Sequence, residues 1–135
     1  MAADRAGTVL VVEDDPHVCL LLERLVAGAG YTALSAGSGA EALAVLDARG
    51  AEIHLLLTDI GLGDMHGGEL ARRALERRPG LRVVYSSGHA RLTAALDDLP
   101  AGNAFLLKPY KAEDLKRVLD RVFAGGEPDR ASENG

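Results

Sequence analysis

Five short apolar runs separated by amphipathic stretches leave this chain few ways to fold. Val9-Leu10-Val11-Val12 is the first, and it stops abruptly at Glu13-Asp14-Asp15. Ile53 to Thr58, apolar except for His54, Leu81 to Tyr85 and Ala104 to Leu107 follow, with residues 31–36 as a weaker member. Runs this short and apolar on both faces predict strands of a parallel sheet covered on both sides. The stretches between them have helical spacing. Val18, Leu21, Leu22, Leu25 and Val26 form one stripe after Asp15-Pro16, a capping residue followed by proline at the first helical position, and Gly30 supplies the stop. Ser38-Gly39-Ala40-Glu41 reads as a capping box opening a second helix, whose apolar face carries Ala42, Leu43, Val45 and Leu46. Leu70, Ala74 and Leu75 mark a third helix, stopped by Pro79-Gly80. Residues 91–98 make a shorter fourth, and Leu115, Val118, Leu119 and Val122 a fifth. Five βα units in succession imply right-handed crossovers and a three-layer α/β sandwich with helices on both faces of the sheet.

A length of 135 residues is room for one domain. Its hydrophobic fraction of 47% beside 26% charged residues is that of a globular chain able to bury a core. Residues 8–124 are expected to form that domain, with 1–7 a flexible N-terminus and 125–135 a disordered tail. Nothing after Phe123 is long enough for a DNA-binding output domain. Twenty acidic and 15 basic residues give a net charge of −5, which argues against general attraction to nucleic acid or an anionic membrane. The single cysteine, Cys19, rules out an internal disulfide and reads as a small buried residue. Met1 to Thr8 has no apolar signal core and no run approaches membrane-spanning length, so a cytoplasmic location is expected.

In an open α/β sheet, ligands bind beyond the carboxyl ends of the strands. Here those ends carry Glu13-Asp14-Asp15, Asp59, Ser86-Ser87-Gly88 and Lys108-Pro109. Nucleotide-binding sheets place a glycine-rich loop after the first strand; carboxylates there repel a bare anion. Clustered carboxylates need a cation between them, and hard oxygen ligands suit Mg²⁺. Asp15 fits a helix cap, but Glu13 and Asp14 precede the cap, which favours a metal role for Asp14. Asp59 alone is a weak signal, because strand ends are often acidic. Lys108, after an apolar strand and before proline, brings a point charge to the same rim. Carboxylates, a divalent cation, a lysine and a hydroxyl together stabilise charge on a transferring phosphoryl group, and a free carboxylate can be its nucleophile. His17, His54, His66 and His89 match no metal-ligand spacing. Arg72-Arg73 and Arg77-Arg78 read as the solvated face of the third helix.

Four motifs in order resemble the receiver domains of two-component response regulators. They are Val-Leu-Val-Val-Glu13-Asp14-Asp15-Pro16, Leu-Leu-Thr58-Asp59-Ile60-Gly61-Leu62-Gly63-Asp64-Met65-His66-Gly67, Val-Val-Tyr-Ser86-Ser87-Gly88-His89 and Phe105-Leu106-Leu107-Lys108-Pro109-Tyr110. The resemblance implies a flavodoxin-like doubly wound sheet with strand order 2-1-3-4-5. It makes Asp59 the phosphoacceptor. Asp14 becomes the direct ligand of Mg²⁺ (with Mn²⁺ a substitute), Glu13 a ligand through water, and Gly61 the donor of a backbone carbonyl. Ser86 becomes the switch hydroxyl, Lys108 the phosphoryl partner and Phe105 the rotating aromatic, with Ser87, Gly88 and Pro109 on the rim. The implied partners are a histidine kinase or histidine phosphotransfer protein and a downstream target met by the fourth helix, fifth strand and fifth helix. That surface also implies a monomer or weak dimer. Beyond self-catalysed phosphorylation and dephosphorylation, no enzyme activity is implied.

The chain departs from the family pattern at several places. Ser86 stands where threonine is common, Phe105 where tyrosine is frequent, and Gly63 where proline is usual. Gly61 and Gly88 leave two positions that shape water access without side chains. Two other readings compete with a phosphoacceptor switch. One is a receiver-like scaffold that is never phosphorylated. The other is a hydrolase with an aspartyl-phosphate intermediate, similar to the haloacid-dehalogenase class; that class needs an acid two residues after its nucleophile, where this chain has Gly61.

Overall fold

A computed structural model of the protein describes residues 7–87, 104–108 and 110–124. In chain order these form β1 (Thr8–Val12), α1 (Pro16–Gly28), β2 (Thr32–Ala36), α2 (Gly39–Arg49), a 3₁₀ turn (Gly50–Glu52), β3 (Leu55–Asp59), α3 (Gly67–Arg77), β4 (Arg82–Ser87), β5 (Ala104–Leu107) and α4 (Ala112–Phe123). All strand pairs are parallel, and the sheet order is β2-β1-β3-β4-β5, the doubly wound order that the family resemblance implies. The expected helix over 91–98, residues 1–6 and the tail 125–135 lie outside the described residues.

Side chains alternate across each strand, so an apolar run serves two cores at once. Val9, Val11, Leu55, Leu57 and Val84 join Leu22 and Val26 of α1 and Leu115 and Leu119 of α4 on one face. Leu10, Val12 and Leu56 meet Leu43 and Leu46 of α2 and Leu70 and Ala74 of α3 on the other, where Val83, Tyr85 and Ala71 continue the layer. Most strand residues are buried from both sides, which is why the runs read as continuous rather than alternating.

Helix starts follow the sequence closely. The Asp15 carboxylate accepts from the N–H groups of His17 (2.9 Å) and Val18 (3.2 Å), with Pro16 at the first position. Such a cap is worth about 1 kcal/mol. Gly30 adopts φ +102, a conformation that stops the chain at little cost only because it lacks a Cβ.

Two expectations need correction. Ser38 caps α2 through the Glu41 N–H, but the Glu41 carboxylate reaches back to Gly37 N rather than to Ser38, so the box closes one residue early. Leu21 is 54% exposed, beside Leu20 at 49%. Successive residues stand about 100° apart on a helix, so with Leu22 and Val26 facing the sheet, Leu21 falls at the edge of the stripe. His54, the polar break in the third run, earns its place at the strand start: its Nδ1 accepts from Thr8 N at 3.0 Å. Cys19 is half-buried against the α1 core, and burial pushes its thiol pKa up, away from reactivity. Among the described residues, no helix is long and apolar enough to cross a membrane.

Candidate functional site

The carboxyl ends of β1, β3 and β5 converge. Glu13 follows β1, Asp59 is the last residue of β3, and Lys108 follows β5. Glu13, Asp14 and Asp59 each offer a carboxylate oxygen, all within 4.8 Å of one another. Lys108 Nζ sits 3.1 Å from Glu13 Oε1 and 3.6 Å from Asp59 Oδ1. Three carboxylates therefore face one ammonium. Their exposure is graded: Glu13 is buried, Asp59 partly so, and Asp14 open to solvent.

Electrostatics follow from that grading. Burial pushes the Asp59 carboxyl above its ordinary range, against the pull of Lys108 and of the Ile60 N–H. Burial likewise raises Glu13, although Lys108 and the Asp15 N–H both favour its ionised form. For Lys108, burial alone works against the charge, but Glu13 and Asp59 outweigh it and hold the ammonium protonated. The cluster is thus short of positive charge, and its mixed exposure, hard oxygens and open Asp14 suit a small divalent cation that keeps some water.

The loop from Ile60 to His66 is fixed at three points. Gly61 and His66 form an isolated antiparallel bridge, and Gly67 N donates to Ile60 O at 2.7 Å. A Cβ on Gly67 would lie 2.4 Å from the Asp59 carbonyl oxygen, so the start of α3 approaches the acceptor strand only because this residue is glycine. Asp64 makes the third tie. Its two carboxylate oxygens accept from Gly39 N and Ala40 N, each at 2.9 Å, occupying orphan donors at the start of α2. His66 caps α3, its Nδ1 accepting from Gly68 N. Gly63 lies against the cluster, where an added Cβ would be 3.3 Å from Asp14 Oδ2, whereas Gly61 has open space around it.

Ser86 is the Cα partner of Asp59 in the β3–β4 pairing and is 1% exposed. Its hydroxyl has the Tyr110 hydroxyl at 3.4 Å. Phe105 points elsewhere: it pairs with Tyr85 in the β4–β5 register, and the two rings stack with centroids 5.3 Å apart.

The receiver domain of response regulators matches residues 9–120 of this sequence. The chain belongs to that family. The receiver is 34% identical over 116 residues to the response regulator receiver protein CpdR of Brucella abortus, covering 85% of this chain and 95% of that one. It is 34% identical over 126 residues to the sensor kinase CckA of the same organism, covering 90% of this chain but only 13% of the kinase. A receiver protein from Sinorhizobium medicae has the same fold, with a TM-score of 0.77 at 32% identity over 88% of this chain and 95% of its own. Acceptance of a phosphoryl group on aspartate is general to receivers.

Of the site residues named from sequence, the receiver's fold brings Glu13, Asp14, Asp59 and Lys108 into one cluster, with Ser86 beside Asp59 and Gly61 on the adjoining loop. Phe105 lies with Tyr85 instead. Gly88, His89, Pro109 and the side chain of Ser87 lie outside the described residues. His17 is in the first turn of α1. Arg72 and Arg73 pair with Glu69, and Arg77 with Asp47, as a solvated face should, but Arg78 is half-buried and its Nε has no hydrogen-bond partner, so the solvated reading fails there. Sequence reasoning gave no role to Tyr110 or Asp64. Their partners lie 24 and 25 residues away, and no local pattern announces either contact.

Proposed function

We propose that this receiver is a phosphoacceptor switch of a two-component phosphorelay, with Asp59 as the acceptor. The observation that carries the reading is the meeting of Glu13, Asp14 and Asp59 within 4.8 Å, beside Lys108. An Asp59 carboxylate oxygen attacks the phosphorus of a phosphohistidine on a histidine kinase or phosphotransfer protein. The O–P bond forms as the N–P bond breaks, and the imidazole leaves with the electron pair and takes up a proton. Asp14 and Asp59 would hold Mg²⁺ directly, Glu13 through water and Gly61 through its carbonyl; Mn²⁺ would substitute. Bound there, the cation neutralises charge on the phosphoryl oxygens. Lys108 supplies the protein's own positive charge from 3.6 Å, and the preformed cluster contributes positioning. Ser86, the strand neighbour of Asp59, would donate to a phosphoryl oxygen.

Likeness to a sensor kinase and to a response regulator receiver protein supports a place in a kinase-fed relay, for which the cytoplasm is the proposed location. Phosphorylation would alter the surface that includes β5 and α4, where a downstream protein or a second copy would dock. Intact-mass measurement after incubation with a small phosphodonor tests the reading. A gain of one phosphoryl that requires Mg²⁺ is expected. No gain, with Mg²⁺ still bound, would leave the scaffold reading in its place.

A further inference from the structure

The hydroxyl of Ser86 is buried beside the acceptor strand, and Tyr110 is its partner at 3.4 Å. Tyr110 lies between Lys108 and α4, its ring half-buried against the cluster that includes Leu22 and Val26 of α1 and Leu115 and Leu119 of α4. Phe105, by contrast, has no hydroxyl and packs with Tyr85 on the opposite layer, near Ile60 and Ala71. We infer that Tyr110, rather than Phe105, senses the state of Ser86 and carries it to the α1–α4 face of the sheet. The inference rests on Asp59 being the phosphoacceptor.

Three physical arguments support it. Either hydroxyl can donate in the Ser86–Tyr110 contact; a serine has one proton, so giving it to a phosphoryl oxygen on Asp59 leaves Tyr110 only the serine's lone pairs and re-sets the contact. The existing contact is long for an O–H···O bond, whose optimum is about 2.7–2.8 Å, and so is easily given up for a charged acceptor. The phenol is also kept neutral, because burial raises its pKa even though Ser86 and Lys108 pull it down; Glu13 and Asp59 face it from the cluster and add to the rise. A neutral phenol that loses Ser86 must find another partner or turn. Its ring is set in a close-packed layer whose members Leu115 and Leu119 are fully buried, and such packing transmits small displacements instead of absorbing them.

Two measurements test this, one independent of phosphorylation. The first compares urea midpoints of wild type, Ser86→Ala, Tyr110→Phe and the double variant. The two substitutions together should shift the midpoint by less than the sum of the singles; simple addition would overturn the contact. The second follows backbone amide NMR shifts before and after a small phosphodonor with Mg²⁺, with intact mass on the same samples. In wild type, changes should reach α4 and the Val18–Val26 stretch of α1. In Tyr110→Phe, which keeps the ring, they should fall at least twofold there while persisting around Asp59. In Phe105→Leu they should persist in α4. Equal α4 shifts in wild type and Tyr110→Phe would overturn the inference, as would their loss in Phe105→Leu. Failure of the wild type to gain mass would instead overturn the phosphoacceptor reading and this signalling role with it, the midpoint comparison alone then deciding the contact.

Discussion

The two ends of the sheet are built on opposite principles. At the amino ends, polar groups have neutral or matched partners. His54 Nδ1 accepts from Thr8 N, His54 N donates to Thr8 O at 2.9 Å, and Thr32 N donates to Gly7 O at 3.0 Å. Tyr31 stacks on Phe123 with centroids 4.6 Å apart and donates to Asp120. At the carboxyl ends three carboxylates cluster, two of them, Glu13 and Asp59, against the Lys108 ammonium, and burial works against the charge on those two. The amino end gathers no like charges and leaves only the buried Arg78 Nε without a partner among the described residues; the carboxyl end gathers carboxylates that outnumber their cation. The contrast shows where a fold of this kind concentrates stability and where it gives stability up for chemistry.

The largest effects should separate the ends. Lys108→Ala removes the cluster's ammonium and should slow phosphoryl gain, followed by intact mass, by about 100-fold or more, the scale of losing one preorganised donor. Phe123→Ala at the other end should leave that rate unchanged. It should cost roughly 2 kcal/mol in urea unfolding, below the cost of a fully buried phenylalanine because its ring is only partly covered. If Phe123→Ala slowed phosphorylation as Lys108→Ala does, the two ends would not be independent.

Much of this division is visible in the residues before any coordinates. Asp15-Pro16 and the Ser38 cap set helix starts through bonds spanning two or three residues, so their sequence signals are complete. The continuous apolar runs betray a sheet covered on both sides, and the charges that end them mark the site. What escapes is long-range. Asp64 finds the start of α2 and Tyr110 finds Ser86 only after the chain has folded. The exposure of Leu21 escapes too, because a five-residue apolar stripe does not say which edge the sheet will cover.

Asp64 sharpens the comparison from inside the site loop. Asp64→Ala strips two N–H partners from the start of α2 and should lower the urea midpoint. Because the same loop carries Gly61, calorimetric Mg²⁺ affinity should weaken as well. Unchanged affinity would mean that the tie serves α2 alone.

The smallest effect is in the pH dependence of the metal-free protein. Backbone N–H groups of Gly39 and Ala40 hold the Asp64 carboxyl below its usual range, and that of Lys111 does the same for Asp114. Their stability is present above the ordinary carboxylate range and is lost as pH falls through the lowered values. Glu13 and Asp59 are raised, so theirs is present below that range and is lost as pH rises through the raised values. Urea midpoints should therefore climb out of the acid range and then sag toward neutrality. Asp59→Asn should reduce the sag, and saturating Mg²⁺ should reverse it. A sag unchanged by either would mean that these carboxylates are not short of positive charge.

In the proposed switch, the Asp59 carboxylate itself becomes the acyl phosphate. Borohydride reduces an acyl phosphate of aspartate to homoserine, which peptide mass mapping locates by residue. After treatment with a phosphodonor and Mg²⁺, homoserine should appear at position 59 alone, and Asp59→Asn should show none. Homoserine at Asp14, or a stable phosphoryl group on Ser86 with position 59 untouched, would contradict it.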